Sequence, residues 1–187
     1  MPQQSVKVTV TAGPGLLVTT TDDVTYDCLG GYHRGHGVRD AGVTTAPAIK
    51  RWLLELNAWW EDDETPWCGV ACAAWVRAVN LVPPKAWYRA LAWASWGVPL
   101  AGPVHGCVVV LERMGGGGHV GFVVGRDRRG WLLVLGGNQG DAVSIAAFNP
   151  MRVVTYRWPA GVVPPAGPDR GIWGLALGSA QASPSEA

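Results

Sequence analysis

The chain carries almost no net charge: 15 Lys and Arg stand against 14 Asp and Glu, a formal +1 over 187 residues. That balance gives none of the basic footprint by which a protein holds nucleic acid or another polyanion. Runs of about 18–20 consecutive apolar residues are missing too, so no membrane-spanning helix is expected. Four cysteines in a chain of this length do not make a disulfide framework. The opening residues, Met1-Pro2-Gln3-Gln4-Ser5-Val6-Lys7, have neither the basic patch nor the apolar run of a signal peptide. Synthesis in the cytoplasm is therefore expected, with some other export route for any extracellular task. There is no internal repeat.

What is present is apolar. Hydrophobic residues make up 48% of the chain and charged residues 16%, enough for one packed domain with tails and too apolar for disorder throughout. Eleven tryptophans are many for this length. Most belong in a core, but Trp59, Trp60, Trp67 and Trp96 flank loops and are candidates to line a groove.

Three segments follow from the patterning: an extension (1–46), a domain (47–158) and a Pro/Ala/Ser-rich tail (159–187). In the extension, Val6, Val8 and Val10 alternate as in a strand, and 21–46 reads as a long glycine-rich loop. From Pro47 the apolar positions Ile49, Trp52, Leu53, Leu56 and Trp60 recur at helical spacing. A second helix is expected from Cys68 to Val82, stopped by Pro83-Pro84, and a third over Ala86–Trp96, ended by Gly97. Five strands follow, Cys107–Glu112, His119–Gly125, Trp131–Leu135, Val143–Phe148 and Arg152–Trp158, with connections short enough for an antiparallel meander. Helices first and sheet second make the class α+β.

Cys68 ends a polar, proline-marked loop (Asp62-Asp63-Glu64-Thr65-Pro66-Trp67) and begins an apolar helix. A thiol in the first turn meets unpaired backbone N–H groups and the positive end of the helix dipole, and both favour thiolate. His119 opens one strand and Gly136-Gly137-Asn138-Gln139 closes the next. Folding that hairpin about residue 128 sets His119 opposite Asn138 or its immediate neighbour, within reach of an imidazole–amide hydrogen bond. The three groups are the parts of a cysteine hydrolase. His119 would take the proton from Cys68, the thiolate would attack a carbonyl carbon, and Asn138 would orient the ring. The N–H of Cys68 and one further donor would hold the oxyanion. No cofactor is required.

Thr65-Pro66-Trp67-Cys68, Gly118-His119-Val120-Gly121-Phe122 and Leu135-Gly136-Gly137-Asn138-Gln139-Gly140-Asp141 resemble the signature segments of a phage- and bacterium-borne family of papain-like cell-wall hydrolases. That family is akin to the CHAP (cysteine, histidine-dependent amidohydrolase/peptidase) and NlpC-type enzymes. The resemblance spans about residues 45–158. It implies a papain-like fold, helices packed on an antiparallel sheet, and an endolysin or virion-associated lysin that cleaves an amide bond of peptidoglycan. Cys68 resembles the nucleophile, His119 the general base, and Asn138 falls at the third, orienting position. The implied partners are the peptidoglycan stem peptide and a phage virion or secretion machine, with action in the periplasm or cell wall after holin release or such delivery. One departure is His105-Gly106-Cys107, where related domains usually carry Gly-Asp entering the first strand.

Residues around this constellation have second readings. Trp67, Gly69 and Gln139 are candidates for substrate or oxyanion contact, although Gln139 could as well cap a turn. Asp62, Asp63 and Glu64 read as a solvated loop that could also grip an amino group of the stem peptide. The four glycines 115–118 would let substrate backbone approach His119. Two rival readings stand beside hydrolysis. One is a zinc site built from Cys68, Cys72, His105 and Cys107, with His33 and His36 as further loop candidates. The other is a non-catalytic structural or binding module of a phage tail or secretion device.

Overall fold

A computed structural model of the chain describes residues 7–12, 16–21 and 47–164. The loop expected over 22–46, with His33 and His36, and the tail from 165 lie outside the described residues. The alternating start of the chain does form a strand. β1 (Lys7–Ala12) pairs antiparallel with β2 (Leu16–Thr21) in a sheet of its own.

The rest is α+β. After α1 (Pro47–Glu55) and α2 (Cys68–Ala78) come a 3₁₀ turn, Ala90–Ser95, and six strands: β3 (Val98–Leu100), β4 (Val108–Glu112), β5 (Gly118–Arg126), β6 (Leu132–Gly136), β7 (Ser144–Phe148) and β8 (Val153–Trp158). They form one open antiparallel sheet in the order β3-β8-β4-β5-β6-β7. The meander expected from the short connections is β4 to β7. β8 then returns to the far side of β4, and β3 joins it as an edge strand. No helix among the described residues is long and apolar enough to cross a membrane.

Strand alternation divides the interior in two. Val108 and Val110 of β4, Val120, Phe122 and Val124 of β5, and Leu133 and Leu135 of β6 face α1 and α2. Their sequence neighbours Val109, Leu111, Val123, Leu132 and Val134 form a second core on the other face, with Val104, Cys107, Phe148 and Trp158. α2 is buried on nearly every side, from Cys68 through Ala73. Its Cys72 donates an S–H bond to Val120 O of β5 at 3.6 Å.

Where the elements differ from expectation, the cause is local. α1 stops at Glu55 rather than Trp60 because Asn57 turns left-handed (φ 53°), with Ala58 N–H bonding Leu53 O. Asn80 (φ 61°) ends α2 before Val82 in the same way. The third helix is reduced to the 3₁₀ turn. Two indoles there take carbonyls before it, Trp93 Nε1 donating to Trp87 O at 2.9 Å and Trp96 Nε1 to Val82 O at 2.7 Å. β3 carries no strand pattern in the sequence because Pro99 interrupts it. Proline is tolerated where it sits, on an edge strand.

Candidate active site

Cys68 is the first residue of α2. Trp67, which precedes it, gives the helix no side-chain cap, and Ala71 N–H already bonds Trp67 O at 3.0 Å. The N–H groups of Cys68, Gly69 and Val70 come too early in the helix to have an intrahelical acceptor, and they surround a thiol that is itself buried. Gly69 is glycine for a steric reason. A Cβ there would lie 2.4 Å from Trp87 O and 2.9 Å from Tyr88 O, so the 87–88 backbone runs hard against the turn that carries the thiol.

His119 lies in β5, opposite Leu111 of β4. It is fully buried and stacks on Phe148 of β7, with ring centroids 5.2 Å apart and 15° between planes. Its Nε2 is 3.0 Å from Oε1 of Gln139. The Gln139 amide nitrogen donates to Ser144 O at 2.6 Å and Ser144 Oγ at 3.0 Å, and lies 3.4 Å from Val134 O. Carbonyls only accept, so the NH₂ group must face them and Oε1 must face the ring. The imidazole therefore donates from Nε2, and Nδ1 carries the lone pair. That is the tautomer a general base needs when its second nitrogen is held by an amide.

The amide set against the ring is that of Gln139, the immediate neighbour of Asn138. The hairpin register is close to that expected: Phe122 pairs with Leu135 and Val123 with Val134, so continuing it would set Asn138 opposite His119. The strand does not continue. β6 ends at Gly136, Asn138 adopts φ 59°, and Gly140 and Asp141 are also left-handed. The chain curls back, Gln139 N–H bonds Ala142 O at 3.0 Å, and the Gln139 side chain turns inward to meet the ring at Nε2. Gly-Gly-Asn was the available signal: three residues suited to leaving a strand present the next side chain, not their own. Phe148 and Ser144, the other supports of this arrangement, carried no motif.

The glycine pair 136–137 borders both the imidazole and the start of α2. A Cβ on Gly136 would sit 2.9 Å from His119 Nε2 and 2.7 Å from Gln139 Oε1, and one on Gly137 would sit 2.6 Å from both Ala71 Cβ and the Trp67 ring. Successive glycines thus face the imidazole on one side of the strand end and the first turn of α2 on the other. His119 itself shares the Leu111 and Phe148 face, while Cys68 and Cys72 belong to the helix-facing core. His119 and Gln139 are in direct contact. Cys68 lies across the glycine step from them.

Other expected contributors fall elsewhere. Trp67 and Trp96 are core residues, so of the four groove candidates only Trp59 is exposed and Trp60 half-buried. Asp62 accepts Glu64 N–H at 3.2 Å in an exposed loop. Glycines 115–117, all with positive φ, make the β4–β5 hairpin turn, with Gly116 N–H bonding Arg113 O and Arg113 N–H bonding Gly117 O. The zinc cage does not assemble. Cys107 lies in the core behind the sheet, accepting Val104 N–H at 3.4 Å, while Cys72 lies in front, and no three potential ligands group among the described residues.

Burial opposes ionisation of two of the thiols. Burial, and then the charge on Cys68, push the Cys72 thiol well above its ordinary value. Burial pushes Cys107 up to about 12. Both should stay protonated and inert. Brief treatment of native protein with iodoacetamide, followed by peptide mass mapping, is expected to label Cys68 well ahead of Cys72 and Cys107. Equal labelling of the three would remove the case for an activated thiol.

For His119, burial lowers the pKa to about 4 against the opposing pull of Gln139, with Arg113 and Arg152 lowering it further. The ring is neutral at pH 7. An unfolded histidine titrates near 6.5, so between pH 6.5 and 4 the unfolded chain binds the extra proton. The stability this ring contributes is full above that window and is lost on acidification through it. Urea denaturation should show a loss of about 2 kcal/mol from this residue between pH 7 and pH 5. A flat profile there would contradict the burial assigned to the ring.

Neither a family model, nor a curated protein, nor a solved structure matches this chain.

Proposed function

We propose that the chain is a papain-like cysteine hydrolase that cleaves an amide bond in the peptide part of bacterial peptidoglycan. The observation that carries this reading is the histidine. A buried imidazole locked as its Nε2–H tautomer, by an amide itself locked by two backbone carbonyls, is more ordering than a core position requires. A base prepared in this way needs a partner with a proton to give. The proposed partner is the thiol of Cys68, at a helix start with no side-chain cap, on the other side of the Gly136–Gly137 strand end from the ring.

In the mechanism His119 Nδ1 accepts the Cys68 proton and the thiolate adds to the carbonyl carbon. Backbone N–H groups of the first turn of α2 hold the resulting oxyanion, an effect of about 3–4 kcal/mol per donor in measured cases. The imidazolium then protonates the leaving amine. Water, deprotonated by the same nitrogen, hydrolyses the thioester. The peptidoglycan substrate, and delivery by a virion, secretion device or holin, rest on the motif resemblance around Cys68, His119 and Gly136–Asp141.

Mass spectrometry of muropeptides after digestion of purified walls tests the reading. A new amine and carboxyl terminus at one bond is expected, and unchanged muropeptides would refute it. One observation favours the rival, a non-catalytic module: both Cys68 and His119 are closed off from solvent. On that reading walls are bound but never cut.

A further inference from the structure

Trp59 and Trp60, just after α1, join Trp87 and Tyr88 in a cluster of four rings. Asn57 turns the chain out of the helix and delivers Trp59 and Trp60 side by side, centroids 4.6 Å apart. Tyr88 meets Trp59 edge-on at 4.7 Å, and Trp87 stacks on Trp60 at 5.6 Å. Trp60 and Trp87 are half-buried, but Trp59 is 72% exposed. A lone exposed tryptophan would need no explanation. A cluster of four rings that holds one indole rigid and open is a surface prepared in advance, and ordering it costs a ligand little.

The cluster adjoins the proposed site, because the backbone carrying Trp87 and Tyr88 is the backbone pressed against Gly69, next to Cys68. Beside it runs Glu61-Asp62-Asp63-Glu64, of which Glu61, Asp62 and Glu64 are exposed.

We propose that the open face of Trp59 is a stacking platform for a pyranose ring of the peptidoglycan glycan strand, placed to seat the polymer while its peptide enters at Cys68. The inference deepens the hydrolase reading and rests on it for the identity of the polymer. The chemistry selects a sugar. A pyranose offers a flat, apolar C–H face that matches an indole, and a rim of hydroxyl donors that matches carboxylate acceptors. An ammonium is a poorer fit. The rings already touch one another at 4.6–5.9 Å, which leaves no space between them for a caged cation.

The probe is the trimer of N-acetylglucosamine, titrated into the full chain carrying Cys68→Ala and followed by tryptophan fluorescence. Saturable binding that weakens about tenfold in Trp59→Ala and is largely kept in Trp59→Phe supports the platform. No binding by the parent chain, binding indifferent to Trp59→Ala, or displacement by cadaverine overturns it. The assay needs no turnover, so the two proposals fail separately. Walls cut by a chain that ignores the trimer would remove the platform and leave the hydrolase, and uncut walls with Trp59-dependent sugar binding would do the reverse.

Discussion

Cys68→Ala is expected to reduce cleavage of purified cell walls on the order of 10⁴-fold or more, with the thermal transition nearly unmoved. The size follows from what is removed. Without the sulfur there is no thioester, and water would have to attack the amide directly. The fold should tolerate the change, since alanine is a good helix residue and the lost atom leaves a small cavity, at a cost of about 1 kcal/mol. Cys72→Ala is the matched control. It lies one turn along the same helix, loses its bond to Val120 O and empties a fully buried site. It should cost stability while sparing most activity. Turbidity loss and zymography read activity, and circular dichroism melts read folding. Undiminished lysis by folded Cys68→Ala would end the covalent mechanism, and equal loss in both variants would assign it to disturbed packing of α2.

The contrast between these two cysteines shows what the sequence could convey. The helix start at Cys68 was legible because Pro66 and a polar run precede an apolar stripe. The strands β4 to β8 were legible to within one residue at each end, because buried strands of Val, Leu and Phe sit between glycine and charged turns. The Asp127–Trp131 turn closes as its composition suggests, with the Asp127 carboxylate accepting from Arg129 and Trp131 N–H. The indole hydrogen bonds found where the third helix is expected depend on which carbonyls lie nearby in space. The face occupied by His119 was equally hidden. Strand alternation says only that it differs from Val120, and the packing of Phe148 from two strands away decides which side that is. Trp67 read as a loop residue near a groove, yet its ring is a wall against which Gly137 lies.

Gln139→Ala is expected to lower kcat by about 10²–10⁴-fold, near the cost of leaving a catalytic histidine in the wrong tautomer. Alanine removes the acceptor at Nε2, so the proton can move to Nδ1, where it would block the transfer from Cys68. It also removes a group that raises the His119 pKa, so burial dominates further and the ring becomes a weaker base. Ser144 O loses its amide donor at the same time, and a stability loss of about 1–3 kcal/mol should accompany the kinetic one. Two measurements keep these effects apart. Nitrogen chemical shifts of His119 should report a single Nε2–H form in the native chain and a mixture in Gln139→Ala, which a purely structural role would not produce. The acid limb of kcat/KM should also move to lower pH in the variant. Asn138→Gly supplies the comparison: glycine accepts φ 59° without strain, and the side chain removed is the one that hairpin pairing alone would have placed beside the ring. Activity within about twofold of the parent is expected there. A deeper loss from Asn138→Gly than from Gln139→Ala would return the orienting role to Asn138, and the tautomer argument for His119 would fall with it.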